Sequence, residues 1–101
     1  MALITVTADN FEEVRAAHPA LLLDFYADWC GPCRALGPVL EEVAAERPDI
    51  TIGRINVDDN PSLAAAFGVR VIPLLVALRD GEENRRAEGL RPKADVLSLF
   101  D

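Results

Sequence analysis

Between Leu21 and Ala27 the chain reads Leu-Leu-Leu-Asp-Phe-Tyr-Ala, apolar at odd and even positions alike except at Asp24. A strand turns successive side chains to opposite faces, so such a run is what a central strand covered on both sides is expected to carry. The remaining sequence offers the covering layers. Leu3 to Val6 is a short β-prone run, and Thr7 or Asp9 can cap a helix that carries Phe11 and Val14 inward and stops near Pro19. Residues 31–47 place Leu36, Val39, Leu40, Val43 and Ala44 at helical spacing, with Pro38 expected to kink the helix and Pro48-Asp49 to end it. Thr51 to Val57 alternates with β-branched residues. Asp58-Asp59-Asn60-Pro61 then caps a short helix through Leu63 and Phe67, closed by Gly68. Leu74 to Leu78 and Arg85 to Gly89 flank the hairpin signal Asp80-Gly81, and a last helix from Pro92 or Lys93 turns Val96, Leu97 and Phe100 inward. The expectation is a three-layer α/β/α fold, a mixed central sheet of about five strands flanked by four helices.

At 101 residues this is one domain, residues 1–101, without repeat or linker. Half the residues are apolar and 27% are charged, a globular balance. Ten Lys and Arg against 17 Asp and Glu leave a net charge of −7, which repels phosphate backbones and anionic head groups, so neither nucleic acid nor membrane is expected as a partner. Val71 to Leu78, interrupted by Pro73, is far too short to span a bilayer. The N-terminus lacks a basic segment and reaches Asp9, Glu12 and Glu13 before any long apolar run, so no export signal is expected and the cytoplasm is the default location. There, a merely structural disulfide would be kept reduced.

The two cysteines therefore need another explanation. Cys30-Gly31-Pro32-Cys33 lies where the central strand passes into the long helix. Helix geometry brings two such residues to a Cα separation of roughly 5 Å, within reach of a disulfide that can close and open. The unpaired N–H groups and partial positive charge of a helix start stabilise a thiolate, so the Cys30 pKa is expected to fall from about 8.5 toward neutrality. Cys33, one turn in and facing the core, is expected to be less ionised and less accessible, suited to attacking a mixed disulfide from within. Pro32 stiffens the turn. Two other readings stand beside this one: a metal site, and inert packing. Zinc wants four ligands, and two thiols with the distant His18 fall short; an iron–sulfur cluster would take thiolates from two chains. Asp24 has two readings as well. Desolvation raises the pKa of a buried carboxyl and makes it a candidate proton acceptor, while the plain alternative is a hydrogen-bonded core aspartate.

The segment Phe25-Tyr-Ala-Asp-Trp-Cys-Gly-Pro-Cys-Arg34 resembles the active-site stretch of the thioredoxin family, whose core is Trp-Cys-Gly-Pro-Cys. The likeness continues through Asp24, Pro38, Asn56-Val-Asp58, Asn60-Pro61, Val69-Arg-Val-Ile-Pro73, Asp80-Gly81 and Gly89. It implies a protein-disulfide reductase with Cys30 as nucleophile, Cys33 as resolving thiol and Asp24 as the proton acceptor acting on Cys33 through water. It further implies that Trp29 covers the pair and that Pro73 is the family's cis-proline, where the residues alone favour an ordinary trans proline at a strand start. Val71 and Ile72 would then pair with an extended substrate segment, and Trp29, Gly31, Pro32, Ile72 and Gly89 would form an apolar docking patch; without the resemblance Ile72 reads as core. No bound cofactor is implied. Reducing equivalents are expected from an NADPH-dependent flavin enzyme, thioredoxin reductase, and the partners are disulfide-containing client proteins met by a monomer.

The departures concern substrate and proton handling. Arg54 stands where many family members have lysine, and its permanent charge opposes the desolvation shift of Asp24. Val71 replaces a glycine, Leu74 replaces a threonine, and the last helix is a few residues short. Arg34 reads as a solvated helix residue whose charge could also favour a thiolate or steer an acidic partner. The rival function is a partner-docking module in which the redox pair is incidental. An oxidase or isomerase is disfavoured, because an oxidising pair needs a far more stabilised thiolate and Gly-Pro between the thiols is the family's reductase dipeptide.

Overall fold

A computed structural model of the chain describes residues 3–101. Met1 and Ala2, the start of the segment read as lacking an export signal, lie outside the described residues. Strands and helices follow in the order β1 (Leu3–Thr5), α1 (Phe11–Ala17), β2 (Ala20–Tyr26), α2 (Gly31–Glu46), β3 (Thr51–Asn56), α3 (Pro61–Ala66), β4 (Leu74–Arg79), β5 (Glu82–Glu88) and α4 (Lys93–Ser98). They form one sheet of order β1-β3-β2-β4-β5. The first two pairings are parallel and the last two antiparallel, the mixed α/β arrangement expected.

Because side chains alternate along β2, its two faces build two cores. Leu22 joins Ile52, Leu75 and Ala77 under Leu36, Leu40 and Val43 of α2 and Val96 at α4. Leu21, Leu23 and Phe25 join Ile55, Leu74 and Val76 under Val14 of α1 and Leu63 of α3. This two-sided burial is what Leu21–Ala27 demanded, and all of Leu21 to Phe25 is buried. The same parity puts Asp24 on the face of Leu22, the face that α2 covers.

Several boundaries differ from the sequence reading. Neither Thr7 nor Asp9 caps α1. Asn10 precedes the helix, its Oδ1 accepts from the Thr7 N–H at 2.8 Å and Thr7 Oγ1 accepts from the Asn10 N–H at 3.4 Å, so the two side chains close a turn between themselves. β5 begins at Glu82 rather than Arg85. Asp80 (φ 52°) and Gly81 (φ 85°) both take the left-handed conformation, a two-residue hairpin turn whose strands pair at once through Arg79 and Glu82, whatever the weak β-propensity of Glu-Glu-Asn. At the C-terminus, Val96 and Phe100 are buried as expected, but Leu97 is half-buried and Leu99 takes the buried place. The tight bonds from the Leu99 N–H to Val96 O and from the Phe100 N–H to Leu97 O turn the chain further than an α-helix would. α2 runs unbroken through Pro38.

Candidate active site

β2 delivers the chain at Tyr26 and α2 takes it up at Gly31, so Ala27 to Cys30 form the turn between sheet and helix. The Cys30 N–H donates to Ala27 O at 3.2 Å. Cys30 itself is the N-cap, extended at φ −92° and ψ 111°, and its Sγ accepts from the Cys33 N–H at 3.2 Å. The first turn carries no acidic residue and has Pro32 in it. The Cys30 sulfur thus sits where unpaired helix N–H groups converge, the electrostatic setting that favours a thiolate. The Cα atoms of Cys30 and Cys33 are 5.3 Å apart and the two sulfurs are bonded as a disulfide.

In one respect the pair departs from expectation. The sequence makes Cys30 the more accessible thiol, yet only 5% of it is exposed, against 2% for Cys33. Ala27, Tyr26, Val57 and Ile72 pack around both. The two sulfurs therefore differ in position on the helix far more than in accessibility, and an incoming disulfide must approach through a narrow opening. Gly31 and Pro32 are exposed on one side of it. Trp29 stands 69% exposed, its indole N–H held by Asp58 Oδ2 at 2.9 Å. The sequence reading placed Asp58 in the helix-capping segment Asp58-Asp59-Asn60-Pro61 and in the family-like Asn56-Val-Asp58, and gave it no part in the site.

On the far side, the Ile72–Pro73 bond is cis. Ile72 is half-buried against the cysteines, neither core nor free surface, and Val71 is 42% exposed. Gly89 follows β5 at φ 86°, where a side chain would be strained, and its N–H donates to Pro73 O at 2.8 Å. Leu90, beside it, is 51% exposed. Trp29, Val71 and Leu90 are the exposed large hydrophobic residues among those described, and they belong to the three loops that carry the disulfide, Pro73 and Gly89. Leu90 too was missed, because a single leucine after a glycine carries no signal of its own.

Asp24 is 1% exposed. It is paired in register with Arg54 across β2 and β3, and Arg54 Nε donates to its Oδ2 at 3.1 Å while Oδ1 has no hydrogen-bond partner. Burial pushes the carboxyl up from 3.8 to about 6 even though the Arg54 charge pulls it down, so desolvation outweighs the opposing cation. The Arg54 side chain is about one-third exposed, and its guanidinium lies 4.1 Å from the centre of the Tyr26 ring. Arg34 is exposed and donates from Nη1 to Asp28 O at 2.7 Å, tying α2 to the loop before Trp29. His18 pairs with Thr51 Oγ1 at 3.0 Å, and among the described residues no cluster of three or more His, Cys, Asp or Glu is placed to hold a metal.

A central mixed sheet, a helix starting on Cys-Gly-Pro-Cys and a cis-proline beside it narrow the family closely. The family model described as Thioredoxin matches residues 2–101. The chain belongs to the thioredoxin family. The thioredoxin of Chlamydia pneumoniae is 43% identical over 96 residues, which cover 95% of this chain and 93% of that one. The thioredoxin of Staphylococcus haemolyticus is 41% identical over 104 residues, covering all of this chain and 97% of the relative. Among solved structures, a mutant thioredoxin from Halobacterium salinarum NRC-1 superposes with a TM-score of 0.88 at 40% identity, covering 96% of this chain and 86% of that one. A structure concerning the thiol resolving mechanism of a yeast mitochondrial 1-Cys peroxiredoxin via glutathione/thioredoxin systems matches with a TM-score of 0.89 at 28% identity, covering 98% and 94%.

As a member of this family, the protein is a thiol–disulfide oxidoreductase, a protein-disulfide reductase with a redox-active Cys-Gly-Pro-Cys centre, and this reading is favoured over a docking module. Thioredoxins act on disulfide substrates and are themselves re-reduced by a reductase. No helix among the described residues is long and apolar enough to cross a membrane.

Proposed function

We propose that Cys30 is the attacking thiolate and Cys33 the resolving thiol of this reductase, with residues 1–101 acting as one domain. The Cys30 thiolate attacks one sulfur of a client disulfide, forming a mixed disulfide and releasing the other client sulfur as a thiolate. Cys33 gives its proton to Asp24 through water and attacks Cys30 Sγ, which expels the second client thiolate. The client gains two electrons and, with two protons, becomes a dithiol; the protein becomes the Cys30–Cys33 disulfide. The observation that carries this is the N-cap position of Cys30, with its sulfur on the Cys33 N–H and no acidic residue in the first turn of α2.

Asp24 suits its part because its carboxyl is ionised at neutral pH yet holds a proton more readily than an exposed aspartate. Arg54 moderates that affinity from the side, and Arg34 braces the loop that presents Trp29. A client segment docks by strand addition on Val71 and Ile72 beside Pro73, with Trp29, Gly31, Pro32 and Gly89 receiving its apolar side chains. The protein works as a cytoplasmic monomer, reduced by an NADPH-dependent flavin enzyme, with no cofactor of its own. Replacing one thiol at a time tests the division of labour. Cys33→Ser should accumulate covalent mixed disulfides with clients and Cys30→Ser should not, read on non-reducing gels; the opposite pattern would exchange the two roles.

A further inference from the structure

The rim of the disulfide carries opposite charges on its two sides. Asp28, Asp58 and Asp59 are all exposed on the Trp29 side. Beyond Pro73 the sign reverses: Arg70 precedes Val71, Arg91 follows Leu90, and both line one open groove together with Arg86 and Glu88. Arg86 is fully engaged, forked onto Glu83 at 2.7 and 2.8 Å and donating to Phe67 O at 3.0 Å. Arg70 is not. Its side chain is 81% exposed and meets Glu88 only through Nε at 3.2 Å. Arg91 donates from Nε to the Glu88 backbone oxygen at 3.1 Å and has no carboxylate within ion-pair distance among the described residues. Glu88 thus offers its carboxylate to Arg70 and its backbone oxygen to Arg91, and the terminal NH₂ groups of both guanidiniums have no hydrogen-bond partner among the described residues. In a chain of net charge −7, this positive groove borders the segment on which a client docks.

We propose that the groove is a specificity surface for acidic client segments, with Arg70 and Arg91 receiving Asp or Glu side chains that flank the client's disulfide. The assignment deepens the reductase reading and rests on it. A planar guanidinium offers paired N–H donors to a carboxylate, and such rim charges act chiefly on encounter, with an effect that salt suppresses. The acidic side of the rim, at Asp28, Asp58 and Asp59, repels the same residues, so only one flank of the client gains from being acidic.

The test uses the pre-reduced protein and a set of peptides closed by one disulfide, alike except for Glu-Glu, Gln-Gln or Lys-Lys on one flank or the other. On one flank, Glu-Glu should raise kcat/KM about 5-fold over Gln-Gln at low ionic strength, and the gain should vanish at about 0.5 M salt. In the Arg70→Gln, Arg91→Gln double variant the ratio on the favoured flank should fall to about one, with the Gln-Gln rate unchanged. Since the ratio is taken within each protein, any loss of folded variant cancels. A wild-type ratio of one on both flanks, or a preference that survives both substitutions, overturns the proposal. Failure of the wild type to reduce even the Gln-Gln peptide would instead overturn the reductase reading, and this assignment with it.

Discussion

Asp24 is the residue at which stability and chemistry pull apart. Its carboxyl holds its proton up to a pH of about 6 in the folded protein, against 3.8 for the ordinary group. Between those values the native state binds the extra proton, so stability is greatest below the lower one, declines as pH rises, and levels off above the higher one. The shift corresponds to about 3 kcal/mol lost at neutral pH. Asp24→Asn keeps the shape and still offers Arg54 an acceptor, and Arg54 is exposed enough to meet water. The variant should therefore be about 2–3 kcal/mol more stable than wild type at pH 7 and nearly equal to it at pH 3.5, measured by urea unfolding of the oxidised protein. A gap that does not change with pH would contradict the account. Asp24 was legible in the sequence as the polar break in a doubly buried strand. The bond from Trp29 to Asp58 was not, since it joins side chains of two loops 29 residues apart.

Asn60 shows how one polar side chain can couple elements. It is buried, its Oδ1 accepts from the Ala8 N–H at 3.0 Å and its Nδ2 donates to Asn56 O at 3.0 Å, so it joins the turn after β1 to the loop between β3 and α3. Asn56 Oδ1 in turn accepts from the N–H groups of Asp58 and Asp59 at 2.9 and 3.3 Å, shaping the loop that holds the indole of Trp29. Asn60→Ala strands a donor and an acceptor and should cost about 2–3 kcal/mol by urea unfolding. A change below about 0.5 kcal/mol would mean that water replaces both bonds. From the sequence, Asn60 read as part of a helix cap; it precedes α3, but its side chain serves the neighbouring turns instead. Local propensity located the elements and misjudged this detail and the start of β5, because both depend on partners distant in the chain.

For the whole molecule, the alternation of strands and helices was readable because each face of β2 buries its own residues against its own pair of helices. What the sequence did not show was how far Ala27, Val57 and Ile72 would close around the cysteines, a packing outcome assembled from three loops and strands. With Cys30 and Cys33 both mostly buried, the difference between them must come from the fold: Cys30 at the start of α2, Cys33 inside its first turn. In the unfolded chain that difference has no source. The decisive measurement is the alkylation rate of each sulfur in the reduced protein, resolved by mass spectrometry, at neutral pH with and without concentrated urea. In the native protein Cys30 should be labelled about 10-fold faster than Cys33, and in urea the two rates should be equal. Equal native rates, faster labelling of Cys33, or a difference that persists in urea would contradict the account.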